Sequence, residues 1–362
     1  MNKCFKSLTL TLSWVVPLVM YSGTCASAKD DRLSPDNMAG MVSDISNLAA
    51  ANTMFLLSLH DRQGETQFTD ALNGKSEVTS LWLRQAGGHN NWRDASGVLK
   101  TQGNRYITQV GGDIARWSRN GQDRWHVGFM GGYGNMHSHT DSNGQGKSSR
   151  GSLEGYSVGT YLTGYANDET HSGAWLDGWL MYIWFDNEVK GTSLSTESYK
   201  SHGISASLEG GYIWKIGETI GSKGSRNQWF IQPHAQVVWM GVRADEWVAE
   251  NGTHVKGEGD GNLMTRLGMR LWLKGHHVRD DKKNREFQPF IELNWIHHTR
   301  DFGTQVNEDS LYQNGTRNIG EMVVGLEGQI NKRLHTWGNI GVQVGDNSYN
   351  DTSAVLGIKY LF

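Results

Sequence analysis

The last twelve residues of the chain, Asp351 to Phe362, constrain its fold more than any other stretch. They read D-T-S-A-V-L-G-I-K-Y-L-F, and alternate residues share one face of a β-strand. One face is therefore apolar up to the chain end and carries Ala354, Leu356, Ile358, Tyr360 and Phe362. In water such an edge would promote aggregation, whereas in a closed transmembrane barrel it would face lipid. The pattern favours an outer-membrane β-barrel.

The composition is compatible with a barrel. The 362 residues include 46 Gly and 15 Trp but only 4 Pro, as expected for many long strands with aromatic girdles. No internal window offers the roughly 18 consecutive apolar residues that a spanning helix needs, but a barrel strand needs only an apolar outer face. The net charge of −3 disfavours a nucleic-acid partner, which would require a basic surface.

The amino terminus predicts a signal peptide over residues 1–28. Lys3 and Lys6 give a positive start, and the apolar stretch Leu8 to Val19 is too short for a stop-transfer helix. Ala26 and Ala28 form the small-x-small cleavage pattern. We therefore expect secretion across the inner membrane and cleavage after Ala28.

The two cysteines both lie in this segment. Because Cys4 and Cys25 precede the predicted cut, the mature protein would contain no cysteine and no disulfide or thiolate metal site. A lipoprotein modification of Cys25 is the alternative. It requires an aliphatic residue three positions earlier, where Ser22 stands, and so it is disfavoured.

Residues 34–60 predict a helix, after a short segment 29–33 and before a connector 61–80. Ser34 can cap it, Pro35 suits its first position, and Asp36 suits the positive end of the helix dipole. Residues at three-and-four spacing then follow: Met38, Met41, Val42, Ile45, Leu48, Ala49, Asn52, Phe55, Leu56 and Leu59. The helix could pack on a globular core or lie in a barrel lumen; the following segments favour the lumen.

Residues 81–362 divide into twelve strand-like segments separated by Gly, Asn, Asp and Ser turn signals. They begin near Leu81, Asn104, Trp125, Ser152, Ser172, Ser201, Trp229, Leu263, Glu286, Asn318, His335 and Asp351. In the sixth, Ile204 and Leu208 alternate with Ser205 and Glu209. We expect a twelve-stranded antiparallel transmembrane β-barrel, all-β apart from an N-terminal α-helix in its lumen. Long polar connections such as 141–147 predict external loops, and the short connections 331–333 and 345–348 predict periplasmic turns.

Two features distinguish such a barrel from a soluble β-sandwich. The apolar face of many segments carries Trp and Tyr near its ends, as an interfacial girdle would. The other face carries bulky polar and charged residues, predicted to face the lumen: Arg84, Asp177, Glu209, Gln236, Arg266, Arg270, Glu292 and Glu327. These charges predict a water-filled lumen around the helix.

Several segments resemble the translocator domain of type V (classical) autotransporters, in the pertactin and diffuse-adherence-adhesin branch. They include A-A-N-T-M-F-L-L-S-L-H-D-R at residues 50–62, L-W-L-R-Q-A-G-G-H at 81–89, Q-V-G-G-D-I-A-R-W at 109–117, I-Q-P-H-A-Q at 231–236 and the final G-I-K-Y-L-F. The resemblance runs from about residue 33 to the end. It implies a twelve-stranded barrel threaded by the helix, and export of an N-terminal passenger across the outer membrane of a Gram-negative bacterium.

The resemblance also implies partners. Outer-membrane lipid, the barrel-assembly machinery, periplasmic chaperones and the protein's own passenger are expected, and the barrel is expected to be a monomer. The C-terminal assembly signal of the family maps to Leu356, Ile358, Tyr360 and Phe362. Family members carry hundreds of passenger residues, whereas only residues 29–33 lie between the signal and the helix here. The chain therefore resembles a translocator with a truncated or remodelled passenger.

Enzymatic chemistry is weakly supported by the sequence. Some barrels of the family cut their own linker through a helix Asn aided by barrel acids. Candidates here are Asn47 and Asn52, with Asp177, Glu209 and Glu292. The paired-Asn junction is absent, because Leu48 follows the first Asn and Thr53 the second, so cleavage is not expected. A twelve-stranded pore or a lipase-type barrel enzyme is the alternative function, but no Ser has a His at a defensible spacing.

Metal and cofactor sites are not predicted. His137 and His139 share a strand face, but the pairs 276–277 and 297–298 each place one His on a face, so no third ligand is defined. The Gly-rich run at residues 131–134 follows no βαβ pattern and does not predict phosphate binding.

Overall fold

The computed structural model describes residues 35–63, 80–142, 146–167, 172–192, 195–221, 226–248, 254–276 and 285–362. The predicted signal peptide with Ala26 and Ala28, the segment 29–33 and most of the connector 61–80 lie outside the described residues.

Two helices precede sixteen strands in this part of the chain. The helices are α1 (Pro35–Thr53) and α2 (Leu59–Gln63). The strands are β1 (Ser80–Asp94), β2 (Leu99–Trp117), β3 (Arg124–Ser142), β4 (Ser148–Tyr165), β5 (Gly173–Gly191), β6 (Glu197–Ile220), β7 (Arg226–Ala244), β8 (Trp247–Val248), β9 (His254–Glu258), β10 (Asn262–His276), β11 (Glu286–His298), β12 (Gly303–Val306), β13 (Asp309–Asn314), β14 (Asn318–Gln329), β15 (Leu334–Gly345) and β16 (Asn350–Leu361).

Twelve of the described strands form the barrel wall: β1 to β7, β10, β11 and β14 to β16. Each is antiparallel to its neighbours, and β16 closes the barrel on β1 from the pair Ser80–Leu361 to the pair Asn91–Asn350. Closure pairs the backbone edge of β16, whose N–H and C=O groups would otherwise be free to pair with another chain. The predicted fold class and strand number are confirmed.

Exposure alternates along the wall strands as the sequence pattern predicts. On β6, Ile204 and Leu208 are 43% and 60% exposed on the outside, whereas Ser205 and Glu209 are buried inside. The apolar face of β16 also points outward. An apolar outer belt with a partly polar interior is the pattern of a barrel that sits in lipid.

Tryptophan does not follow the expected girdle throughout. Trp184, Trp214, Trp239 and Trp295 lie on the outer face, but six others are buried inside the barrel: Trp82, Trp92, Trp175, Trp179, Trp272 and Trp337. The girdle interpretation was therefore wrong for this second group. Their large side chains fill the space between the wall and the enclosed helix.

The wall is taller on one side than on the other. Strands β2 to β7 have 18 to 24 residues, whereas β10, β11 and β14 to β16 have 12 to 15. The short strands β8, β9, β12 and β13 pair with one another and join β1 through β13. We refer to the barrel end where β1 begins and β16 ends as the terminal rim, and to the opposite end as the loop rim.

The predicted division into long and short connections was only partly correct. β3 ends at Ser142 and β4 begins at Ser148, so this connection is short, and the long connections are those that carry β8, β9, β12 and β13. The connections β14–β15 and β15–β16 follow successive antiparallel strands and therefore lie at opposite rims. They cannot both be periplasmic turns.

One turn at the terminal rim, between β2 and β3, is organised around a carboxylate. Asp123 accepts hydrogen bonds from Ser118 Oγ at 2.8 Å and from Trp125 Nε1 at 2.9 Å. Desolvation acts to raise the pKa of Asp123, but these bonds and those from Arg119 outweigh it and lower that pKa. The turn is thus tied by its own side chains.

Candidate functional site: the helix-filled lumen

Helix α1 lies inside the barrel against the tall side of the wall, where it contacts β3, β4 and β5 most extensively. Glycines on β3 and β4 make this close approach possible. A Cβ on Gly132 would lie 3.0 Å from Phe55 Cε1, and one on Gly151 would lie 2.8 Å from Asn47 Oδ1. A Cβ on Gly134 would collide with Met54 Sδ. The glycine run at residues 131–134, for which phosphate binding was not predicted, thus makes room for the enclosed segment. We call this segment, residues 35–63, the linker.

The contact between residues 35–58 and the tall wall is largely apolar. Phe55 stacks on Phe185 with ring centroids 5.5 Å apart, within a buried cluster that also contains Ile45, Met181 and Val238. The predicted water-filled lumen around a polar helix was therefore wrong for this half. A helix buried on the side facing the wall needs apolar partners there, and strand alternation alone does not show which inner positions will meet it.

Near the loop rim, short polar side chains tie α1 to β3 and β4. Ser43 Oγ lies 3.2 Å from Thr140 Oγ1 and 2.5 Å from Ser149 Oγ. Asn47 Nδ2 donates to the carbonyl oxygen of Ser152 at 3.1 Å. These bonds satisfy buried polar groups and fix the rotation of the helix about its axis.

Asn52 replaces a missing neighbour of β7. Its Nδ2 donates to Val242 O at 2.9 Å, and Val242 N donates to its Oδ1 at 3.2 Å. β10 begins opposite Met240, two residues short of Val242, and no described strand pairs with this part of the β7 edge on that side. The carboxamide supplies the donor and acceptor that the next strand would have supplied.

The predicted helix over 34–60 is interrupted at residues 54–58, between α1 and α2. Backbone groups freed by the interruption bond to barrel side chains. Leu57 O accepts from Trp179 Nε1 at 3.0 Å and from Gln236 Nε2 at 2.8 Å, and Leu59 N donates to Glu209 Oε2 at 2.8 Å. The barrel thus compensates for the helical hydrogen bonds that are lost at the break.

The side chains of α2 then bind the wall near the terminal rim. Arg62 forms an ion pair with Asp177, donates to Thr163 Oγ1 at 2.9 Å, and lies 4.0 Å from the ring centroid of Tyr161. The side chains of Arg62 and Asp177 are 0% and 1% exposed. We call these four residues the Arg62 anchor.

The neighbouring α2 residues make weaker contacts. His60 Nε2 lies 3.0 Å from Gln232 Nε2 and 3.3 Å from its Oε1, so the tautomer and amide orientation decide which atoms bond. Arg84 approaches Asp61 at 3.9 Å and donates to Gln109 Oε1 at 2.8 Å. The predicted lumen residue Arg84 thus faces the linker.

The remaining predicted charges form a cluster across β6, β7, β10, β11 and β14. His234 lies 3.3 Å from Glu209 and 3.4 Å from Glu292. Arg270 lies 3.4 Å from Glu292 and 2.5 Å from Glu327. His234 and Arg270 thus each lie between two acids, and the guanidinium of Arg270 offsets part of the desolvation of the buried carboxylates.

The eighth predicted lumen residue, Arg266, is half-buried and lines a cavity on the short side of the wall. It donates to Gln236 Oε1 at 3.0 Å and approaches Glu321 at 3.8 Å. The cavity has a volume of about 200 Å³ and also borders Ala50 and Thr53 of α1. Together, all eight predicted polar residues lie on the inner face, and five of them, Arg84, Arg266, Arg270, Glu292 and Glu327, line this cavity.

Sequence reasoning missed two groups of functional side chains. Trp179 was not among the predicted lumen residues, although its position in phase with Asp177 on β5 indicated the inner face. The partners of Asn52 lie 190 residues away and have no local signal. Asp177 and Glu209, considered as aids to Asn cleavage, instead bind α2 and the linker break.

Two of the predicted histidine pairs can be placed. His137 and His139 are exposed on the outer face, and His297 is partly exposed whereas its neighbour His298 is buried; the side chains of the pair 276–277 lie outside the described residues. Among the described residues, no group of three or more His, Cys, Asp or Glu side chains could hold a metal ion. The described part of the chain also has no helix long and apolar enough to cross a membrane.

The predicted assembly residues lie on the outer face of β16. Leu356, Ile358, Tyr360 and Phe362 are 71%, 41%, 39% and 63% exposed, respectively. Tyr360 and Phe362 form an edge-to-face pair with ring centroids 5.4 Å apart. The four side chains are accessible, and their role in assembly stays a prediction.

Comparison with known proteins identifies related sequences and folds. The family described as autotransporter beta-domain matches residues 81–341. Over 316 residues, 87% of this chain, the sequence is 58% identical to the uncharacterized protein YuaQ and 49% identical to the uncharacterized protein YdeU, both of Escherichia coli K12. The chain spans 23% of YuaQ and 68% of YdeU.

A solved structure shares the fold. The transport unit of the autotransporter AIDA-I from Escherichia coli superimposes with a TM-score of 0.79 and 35% sequence identity, over 90% of this chain and 99% of that one. Both the sequence and the closed barrel with its enclosed helix therefore agree with the same family.

Proposed function

We propose that this chain, which belongs to the autotransporter family as its outer-membrane β-domain, exports a polypeptide. The exported polypeptide would be joined to the amino end of α1. The barrel is the passage through the outer membrane, and α1 with α2 is the linker that occupies the lumen at rest. This chain spans only 23% of YuaQ. The nature of an exported passenger would therefore be read from longer relatives of this kind.

One observation carries this proposal: a continuous segment of the chain passes through the closed barrel from rim to rim. Met41 of α1 packs at the loop rim against Val255 of β9 and Val306 of β12. Twenty-one residues later, Arg62 binds Asp177 close to the terminal rim. A lumen that holds polypeptide along its length, with its amino end at the loop rim, suits the export of what precedes that end.

Further parts of the proposal concern segments and partners. Residues 1–28 would serve as a signal peptide cleaved after Ala28, and residues 81–362 as the translocating barrel. Outer-membrane lipid would contact the apolar belt. The barrel-assembly machinery and periplasmic chaperones would act on β16 through Leu356, Ile358, Tyr360 and Phe362. We propose no catalytic step, since Asp177 and Glu209 bind the linker and Glu292 lies against His234 and Arg270 of the wall.

The filled lumen also argues against a constitutively open pore as the main function. Apolar packing fills much of the tall side, and the cavity beside α1 on the short side measures about 200 Å³. The intact protein should therefore conduct weakly in a planar bilayer, and deletion of residues 34–59 should raise the conductance. A large and steady conductance of the intact chain would favour the pore.

Export can be tested directly with a reporter inserted between residues 28 and 34. An unstructured epitope-tagged reporter should become accessible to added protease on intact cells, because the barrel delivers it to the surface. The matched control carries the same signal and reporter without residues 81–362, and it should stay protected in the periplasm. A protected reporter in cells that contain the folded full-length barrel would refute the proposed function.

A further inference from the structure

Three inner side chains on neighbouring strands form one continuous surface in the lumen. Glu209 on β6 pairs in register with Asp177 on β5 and with Gln236 on β7. Trp179 lies two residues from Asp177 on the same face of β5 and is 4% exposed. We refer to Trp179, Glu209 and Gln236 as the backbone cradle.

The cradle contacts main-chain atoms of the linker. Trp179 Nε1 and Gln236 Nε2 both donate to Leu57 O, at 3.0 and 2.8 Å, and Glu209 Oε2 accepts from Leu59 N at 2.8 Å. By contrast, the Arg62 anchor uses side chains on both partners. The cradle bonds therefore do not depend on which side chains the linker carries.

The pattern of these bonds matches an extended polypeptide. In an antiparallel strand, the carbonyl of residue i and the amide of residue i+2 point to the same side. The cradle binds this combination, the carbonyl of Leu57 and the amide of Leu59. Its side chains thus offer the donor and acceptor that an adjacent strand edge would offer, where the chain passes from the break at residues 54–58 into α2.

Each polar member of the cradle is held in position by a second group. Arg266 donates to Gln236 Oε1 at 3.0 Å, which leaves the amide nitrogen directed at the linker. His234 lies 3.3 Å from Glu209 Oε1, which leaves Oε2 for Leu59 N. The cradle is therefore preorganised by the barrel.

We propose that Trp179, Glu209 and Gln236 are a binding site for extended polypeptide backbone of any sequence, which the exported chain uses as it crosses the lumen. The inference rests on the proposed export function. A backbone N–H or C=O group that is removed from water and finds no new hydrogen-bond partner costs free energy. A narrow passage therefore needs donors and acceptors along its wall. A site that binds main-chain atoms provides them without selecting among passengers.

The test measures how fast reporter passengers reach the cell surface. Two unstructured reporters, one acidic and one basic, are placed ahead of residue 34 in the full chain. The amount of reporter at the cell surface is measured at intervals after a short pulse of synthesis. It is divided by the amount of folded barrel, which migrates differently from the heat-denatured barrel on a gel. Gln236→Leu and Trp179→Phe each remove one donor to the backbone, and loss of one such bond should slow both reporters about two- to tenfold.

The matched control is Asn187→Leu on β5. Asn187 is a buried carboxamide whose Nδ2 donates to Ser201 Oγ at 3.0 Å and to Tyr199 O, both on β6 of the wall. The control should export both reporters at the unmodified rate, because it leaves the cradle intact.

Comparable slowing of both reporters in the two cradle variants supports the inference. It is overturned by unchanged rates in both cradle variants, by slowing of only one reporter, or by equal slowing in Asn187→Leu. If the unmodified chain exports neither reporter, the proposed function itself fails. Normal export by the unmodified chain with no effect of the cradle variants removes only the cradle.

Discussion

The Arg62 anchor gives the sharpest test of how the linker is held. Replacing Arg62 by Met leaves the carboxylate of Asp177 buried without its cation while the linker is in place, since the two side chains are 0% and 1% exposed. Breaking a buried pair by removing one partner costs about 3–5 kcal/mol. That cost is relieved when the linker leaves and water reaches Asp177, so the change favours the open lumen.

The size of the effect follows from this cost. A loss of about 3 kcal/mol corresponds to roughly a hundredfold increase in the open-to-closed ratio, at about 1.4 kcal/mol for each factor of ten. Single-channel recording of the purified full chain measures that ratio as the fraction of time spent in the conducting state. Arg62→Met should therefore open far more often than the unmodified protein.

A second change separates the charge effect from general damage. The double variant Arg62→Met with Asp177→Asn has no uncompensated buried charge and should recover much of the closed fraction. The exposed pair of Lys200 and Asp186, at 3.9 Å with side chains 75% and 74% exposed, provides the control, and Lys200→Gln should leave gating unchanged. Equal open fractions for Arg62→Met and the unmodified protein would refute the reasoning.

Three further changes test other parts of the structure. Asn52→Leu removes both hydrogen bonds to the open edge of β7 at a cost of about 1–3 kcal/mol. Single-channel recording should therefore show an open fraction increased at least severalfold. An unchanged open fraction would contradict a role of Asn52 in holding the linker. Leu208→Arg places a charge on the lipid face at a cost of about 2–4 kcal/mol and should lower the yield of folded barrel, whereas Glu154→Arg, at an exposed polar position on β4, should not. Deletion of Phe362, whose side chain is 63% exposed, should lower outer-membrane yield with normal signal cleavage; unchanged yield would count against the assembly signal.

The wall of the barrel was predictable because its signal is local. Apolar and polar residues alternate along each strand, and the starts of all twelve segments fall within five residues of the observed wall strands. The inner position of residues such as Glu209 and Arg270 follows from the same alternation. These features need no knowledge of which strand lies across the lumen.

The contents of the lumen were predictable only in outline. The sequence indicated a helix at residues 34–60 but not its interruption at 54–58, since the groups that bind the break lie on β5, β6 and β7. Residue type alone also could not separate inner from outer Trp, and the buried Trp179 was not predicted as a lumen residue. The connection at residues 141–147 was predicted to be long, but β3 extends to Ser142 and β4 begins at Ser148.

The sequence by itself determined which side chains of each strand face outward and which face inward, because a period of two residues places every side chain on one face or the other regardless of its neighbours. The tertiary structure decided which inner residues meet the helix and which border the cavity. That outcome depends on register around the barrel and on the side of the wall against which α1 packs, and both join residues that are far apart in the chain.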